Sequence, residues 1–320
     1  MRIAITGGTG FLGRYIVNLL LENGHDCTCW HRPESDRGGF VAENRIRWVE
    51  GDLEVDDSIA PLVDGAQAVV HAGVYRPPAG AGHRGGQGDV AHFAQVNVIG
   101  TLKLIEAARA AGVERFVFIS TCGVHDVILE DRPLDEAHPL WPLSHYGAYK
   151  AAVEKFVHSF GMHWTPPASS APTHKHLQSK EPWGICALRP VGIYGLRRLL
   201  EASKWHGVVR DVVAGKPVDD PSGGKEVHAL DVARATALLL EADVEAVAGR
   251  SFNCYDLYVA AQDVAVISRD LSGSRSDITM NNRGPKNQID TKRIRGLGMT
   301  FGGRAGLERY VKELVEKAAG

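Results

Sequence analysis

The chain has 320 residues, 44% apolar and 23% charged, enough to bury a substantial core as a globular protein of roughly one and a half to two domains. With a net charge of −2 and no basic run interleaved with aromatics, nucleic acid and anionic membrane are excluded as expected partners and a small molecule is left. No apolar run approaches the roughly 20 residues that cross a bilayer; "MRIAITGG" enters a strand directly, and five scattered cysteines suit a reducing compartment, so a cytoplasmic setting is expected.

The first element is the strand "RIAIT", followed by "FLGRYIVNLLLENG", where Phe11, Leu12, Ile16, Leu19 and Leu20 recur at helical spacing and Gly24 stops the run. Between them "ITGGTGFLGR" sets Gly7, Gly10 and Gly13 three apart, with Thr9, Phe11 and Leu12 in the same turn. Glycines placed between a strand and a helix allow a tight turn and close approach to a pyrophosphate, which the helix N-terminus then holds. The spacing alone is weak, because Gly82, Gly85 and Gly88 repeat it without a strand before or a matching helix after, and they read as a loop.

The strand "DCTCW" puts Cys27 and Cys29 on one face, a core pattern rather than a metal pair, and no metal site is expected. At its end, where a carboxylate would accept from a ribose diol, stand His31 and Arg32. Arg32 suits a 2′-phosphate, which favours NADP; the rival is a solvated Arg32 and NAD bound without the acid. "RIRWVEGD" leads to Asp52 and Leu53, where Asp52 either accepts from an adenine amino group or caps a turn. After the strand "AQAVVHAG" comes "YRPPAGAGHRGGQGDV", whose Tyr75, Arg76 and Arg84 either close on substrate or belong to a surface loop.

"FAQVNVIGTLKLIEAARAAG" reads as one helix carrying Asn97, either ordering a water near Lys150 or bracing that helix against the sheet. The strand "ERFVFIST" ends on Ser120 and Thr121, at the edge where parallel sheets meet ligands, and a hydroxyl there can hold a substrate oxygen. In the helix "HYGAYKAAVEKFVHSFG", Tyr146 and Lys150 share a face, while Tyr149, Val153, Phe156 and Phe160 form an apolar row expected to face the core. Tyr146 is therefore the candidate acid and base, its phenolate favoured by the Lys150 ammonium and by an oxidised nicotinamide; the rival pairs Lys150 with Glu154.

A Pro-, Ser- and His-rich insertion, about 163–183, reads as a surface loop; His174 and His176 lack a third ligand nearby. "GICALRP" is the next strand. Strand and helix in alternation imply an α/β fold with a doubly wound parallel sheet covered on both faces. From about 196 the alternation loosens, so a cofactor-binding domain over 1–195 and a small C-terminal α/β substrate domain over 196–320, with some segments returning to the first, are expected. The last helix offers Leu307, Tyr310, Val311, Leu314 and Val315 on one face for docking.

With "TGGTGFLG", "GDL", "VVHAG", "NVIGT", "FVFIST", "YGAYK" and "LRPVGIYG" in this order, the chain resembles the extended short-chain dehydrogenase/reductase family, the NAD(P)-dependent sugar epimerase/dehydratase group. The resemblance implies a Rossmann domain with cofactor contacts also at His71, Ala72, Gly73, Pro190 and Ile193, and homodimers formed through the helices carrying Asn97 and Tyr146. It further implies Tyr146 as acid and base, Lys150 on the nicotinamide ribose and Thr121 assisting. Cys122 and Gly123 stand where the family's dehydratases carry an Asp-Glu pair, which argues against dehydration and leaves both as substrate contacts. Val191 and Gly192 replace an expected asparagine, the basic residue expected shortly before "VHALDVA" is at best Lys225, and "YGLR" replaces "YGPG"; together these weaken a nucleotide-sugar reading. The expected activity is hydride transfer to or from a secondary alcohol or carbonyl of a sugar-like molecule. A cofactor-exchanging reductase or dehydrogenase is favoured over an epimerase with tightly held cofactor. The rival of another class, an NADP-sensing regulator without turnover, has no use for the Tyr146 and Lys150 pair.

Overall fold

The computed structural model describes residues 1–76, 89–162, 182–280 and 284–318. The second glycine triplet, Gly82, Gly85 and Gly88, and Arg84, His174 and His176 lie outside the described residues.

The described residues form ten strands: β1 (Arg2–Thr6), β2 (Asp26–His31), β3 (Ile46–Glu50), β4 (Ala68–His71), β5 (Arg115–Ile119), β6 (Gly184–Pro190), β7 (Gly192–Tyr194), β8 (Gly223–His228), β9 (Ser251–Cys254) and β10 (Leu257–Ala260). Seven make one sheet in the order β3-β2-β1-β4-β5-β6-β9, every neighbouring pair parallel. Successive side chains alternate between its faces, as strand geometry requires. Ile3, Ile5, Cys27, Cys29, Val117 and Leu188 enter the core under the helices Phe11–Glu22 and Ala229–Glu241. Ala4, Val69, Phe116, Phe118 and Ala187 enter the opposite core, with the helices Gly100–Ala110 and His145–Gly161. Ile3, Ile5 and Val70 are at most 1% exposed, and each contributes about 1.5–3 kcal/mol by leaving water. This two-sided burial explains why the strands read as continuous apolar runs rather than alternating ones.

The smaller sheet pairs β7 with β8 in parallel and β8 with β10 antiparallel. Beside it the helices His206–Val213, Ala261–Ser272 and Gly303–Ala318 gather Tyr194, Val209, Val264, Leu307, Tyr310 and Val311. All five apolar residues expected on the last helix are buried. The chain crosses between the two sheets more than once. β7 precedes residue 196 yet lies in the small sheet, and β9 returns to the large one beside β6.

Two elements differ from their sequence expectation. The run through Asn97 is not one regular helix but Val90–Ala94, a π-helical turn Gln95–Ile99, then Gly100–Ala110. The wider turn carries Asn97 into the interior, where it is 0% exposed. In His145–Gly161 the row Tyr149, Val153, Phe156, Phe160 is not the centre of the buried face: Phe156 is 41% exposed and Val157 is 1% exposed. The helix is rolled so that Lys150, Val153 and Val157 face the sheet, which leaves Phe156 beyond the rim.

Candidate active site

The crevice opens at the C-terminal ends of β1 and β4, where the winding of the sheet reverses direction. Gly7 has φ +72°, and a Cβ there would lie 2.8 Å from the Ala72 carbonyl carbon; a Cβ on Gly13 would lie 2.0 Å from Gly7 O. Both positions need glycine, the first for its left-handed backbone and the second because the helix is pressed against the turn. Gly10 caps the helix Phe11–Glu22 without a side-chain acceptor, so its first N–H groups face the crevice free to bind an anion. The cradle that a dinucleotide pyrophosphate needs is thus present in this chain's own backbone.

The cleft has a volume of about 550 Å³. Of the expected cofactor contacts it is lined by Gly7, Thr9, Gly10, Phe11, Leu12, Gly13, His31, Arg32, Asp52, Leu53, Ala72, Gly73, Pro190 and Ile193, and it also takes in Tyr75, Arg76, Thr121, Tyr146 and Lys150. Just past the end of β2, Arg32 is largely exposed and pairs with Glu34 at 3.0 Å, while its backbone N–H donates to Ser35 Oγ. Asp52 Oδ1 accepts from Glu54 N–H at 2.9 Å, so the turn role suggested for it is realised alongside its place on the wall.

His71 is not on that wall. It is fully buried between Thr6 Oγ1 (2.6 Å) and Thr101 Oγ1 (2.9 Å), and burial, with the Lys150 charge nearby, pushes its pKa down to about 3. Thr6 Oγ1 also accepts from Gly73 N–H, and Thr101 Oγ1 donates to Asn97 O. The neutral imidazole therefore links β1, β4 and the helix behind them, and acts on the site by holding it. Asn97 is likewise a brace: its amide accepts from Tyr75 N–H and donates to Tyr75 O and Phe93 O. Of the two roles weighed for it, the structure shows the bracing one, directed at the segment after β4.

The helix His145–Gly161 starts where Ser144 Oγ accepts from Gly147 N–H at 3.0 Å. This brings half-buried Tyr146 and buried Lys150 beside the end of β5. Thr121 Oγ1 accepts from Gly123 N–H at 3.1 Å, which leaves its own proton free to donate into the cleft. Ser120 is already committed, donating to the Glu154 carboxylate. Lys150 Nζ donates to Ile119 O at 2.5 Å and lies 4.5 Å from the centre of the Phe118 ring. It does not pair with Glu154 by hydrogen bond, because Arg189 occupies that carboxylate.

In the protein alone the Tyr146 phenol is pushed up by burial, with Arg76 pulling it partly back. Lys150 itself is lowered by burial to about 7, with Glu154 opposing and Arg76 assisting that drop, so it is a weakened countercharge for a phenolate. Cys122 and Gly123 do not line the cleft. Cys122 donates to Arg189 O and packs with Val191, Leu134 and Tyr255 in a small apolar cluster beside it, and Gly123 closes the turn after Thr121. The sequence reading missed Ser35 and Arg197, both on the cleft wall. Arg197, whose guanidinium lies over the Phe11 ring at 4.3 Å, was signalled only by "YGLR".

Among the described residues there is no cluster of three or more metal-ligating side chains, and no helix is long and apolar enough to cross a membrane.

A model of the NAD dependent epimerase/dehydratase family matches residues 3–254. UDP-glucose 4-epimerase of Corynebacterium glutamicum is 28% identical over 262 residues, 79% of this chain and 74% of that protein. The low-salt glycan biosynthesis protein Agl12 of Haloferax volcanii is 31% identical over 170 residues, 50% of this chain and 52% of that one, so this chain spans about half of its length. The crystal structure of UDP-glucose 4-epimerase from Thermus thermophilus in complex with NAD has the same fold. Its TM-score is 0.71 at 21% identity, covering 100% of this chain and 99% of that one.

Proposed function

The chain belongs to the NAD dependent epimerase/dehydratase family, an extended short-chain dehydrogenase/reductase, and from that membership we propose hydride transfer at a secondary alcohol or carbonyl carbon of a sugar-like small molecule, with Tyr146 as acid and base. The observation that carries this reading is the meeting of Tyr146, Thr121 and Lys150 at the end of β5 in the cleft that holds the glycine cradle. The bound dinucleotide supplies the hydride acceptor or donor. The glycine loop and the helix N-terminus after it bind the pyrophosphate, and Lys150 is placed for the nicotinamide ribose. Thr121 donates its free proton to the substrate oxygen and orients it towards Tyr146.

In the reducing direction Tyr146 gives its proton to the oxygen as the carbon gains hydride; in the oxidising direction it takes that proton back. Burial raises the Tyr146 phenol and Arg76 opposes that rise, which favours its proton-donating form. We favour NADP because His31 and Arg32 stand where an acid would repel a 2′-phosphate, and Ser35 is beside them. Homodimers through the helices carrying Asn97 and Tyr146 are supported by Ile99 and Phe156, 38% and 41% exposed on those elements. Five free cysteines favour a reducing, cytoplasmic setting.

The test is Tyr146→Phe. Turnover with a panel of aldoses, uronates and aromatic aldehydes should fall by about 10²–10⁴-fold while dinucleotide affinity is kept; retention of most turnover overturns the mechanism. A second reading, epimerase, is favoured by the match to the Corynebacterium enzyme over 262 residues. Counting the nucleotide released on denaturing the fresh protein separates them: near-stoichiometric dinucleotide supports an epimerase that recycles its cofactor, and an empty protein that binds NADPH supports a reductase.

A further inference from the structure

One turn beyond Lys150, Glu154 is 4% exposed and accepts from three neighbouring strands of the large sheet. Ser120, directly after β5, donates to Oε1. Arg189 of β6, itself 3% exposed, donates from Nε to both carboxylate oxygens at 3.0 Å and from a terminal nitrogen to Oε2 at 2.5 Å. Ser251 of β9 donates to Oε2 at 2.9 Å. The same β5 end supplies the Ile119 carbonyl that holds Lys150 Nζ and the Thr121 hydroxyl in the cleft.

We propose that Glu154 is a positioning residue for Lys150: it ties the catalytic helix to β5, β6 and β9 in one register and supplies the buried negative charge facing the Lys150 ammonium. Without that knot the helix is free to roll, and Lys150 loses both its alignment to Ile119 and its countercharge. Among the described residues, the groups around Lys150 leave Glu154 as its only acid. Tyr146 and Tyr149 come from its own helix, neutral His71 from β4, Arg76 from the segment after β4, and the Phe118 ring and Ile119 carbonyl from β5. Arg189 on β6 is neutralised by Glu154 itself. The electrostatics agree, since Glu154 is the group that raises Lys150 against burial and Arg76.

The proposal rests on reading Lys150 as a charge that works beside Tyr146, so the experiment is read on the protein alone. Lysine 13Cε chemical shifts are followed from pH 5 to 10, and the Lys150 signal is the one missing from Lys150→Arg. Wild type should titrate near 7. In Glu154→Gln the midpoint should drop by about one unit or more, as expected for loss of an opposite charge a few ångströms away, and Glu154→Asp should restore part of the drop.

Stranding Arg189 without a partner risks the fold, so Glu154→Gln/Arg189→Met, in which both charges go, is measured alongside and should show the same drop. A Lys150 midpoint unmoved in either folded variant overturns the proposal. The hydride-transfer reading is decided separately, by turnover of Tyr146→Phe.

Discussion

Replacing Asn97 by alanine separates a bracing amide from a catalytic one. The side chain is 0% exposed and makes three hydrogen bonds, with Tyr75 N–H at 2.9 Å, Tyr75 O at 3.1 Å and Phe93 O at 3.2 Å. Truncation strands the Tyr75 groups and opens a small void, at about 1–3 kcal/mol for an unsatisfied buried polar group. A total of about 2–4 kcal/mol is expected. With an unfolding entropy of roughly 2.1 cal/mol/K per residue, this lowers the Tm of a 320-residue chain by about 3–6 °C. Because Tyr75 and Arg76 line the cleft, substrate KM should rise more than kcat falls. Differential scanning calorimetry and steady-state kinetics on one preparation give both quantities. An Asn97→Ala protein with wild-type Tm and a kcat down more than about 100-fold would refute the bracing role and restore the water-ordering one.

Gly13→Ala should abolish dinucleotide binding in a folded protein, since its Cβ meets Gly7 O at 2.0 Å; calorimetric titration with NADPH and NADH reads this, and wild-type affinity would refute the cradle. Arg32→Ala should weaken NADPH by about 10-fold or more and NADH little, because a charged hydrogen bond is worth about 1.5–3 kcal/mol; equal effects on both would point to NAD. Stability should also depend on pH. Burial depresses His71 to about 3 and His125 to about 4 in the fold, against an ordinary value near 6.5. Above that value both states are neutral and the contribution is complete. As pH falls below it the unfolded chain takes protons that the fold refuses, so stability drops by about 1.4 kcal/mol per pH unit for each histidine, until His125 protonates near 4. Urea midpoints at pH 7 and pH 5 measure the drop, and identical midpoints would refute it.

Most of the cofactor cleft was legible because it depends on short-range chemistry. Gly7, Gly10 and Gly13 lie within one turn between a strand and a helix, and the pairing of Tyr146 with Lys150 follows from helical spacing alone. His71 was misplaced because a polar residue at a strand end looks alike from either side of the sheet, and only packing shows that Thr6 and Thr101 enclose it. Phe156 was misjudged because periodicity gives a helix its faces but not its roll against the sheet. Burial raises the Tyr146 phenol and lowers the Lys150 ammonium, and neither effect is legible in helical spacing.

Local pattern was enough for the alternation of β1 to β6 with helices, the glycine turn, the helix carrying Tyr146 and Lys150 and the docking face of the last helix, since each depends on residues within a turn or two. Three further features depend on which distant segments touch. β9, four residues long, joins the large sheet beside β6 because Phe252 and Cys254 are buried there, a pairing invisible in "SFNC". Glu154 reads as an i+4 partner of Lys150, yet residues of three strand segments hold its carboxylate. Arg197 reaches the cofactor cleft only because the segment after β7 folds back over Phe11. Propensity and periodicity act along the chain, whereas burial and charge depend on contacts across it, and those were settled only when the two sheets closed.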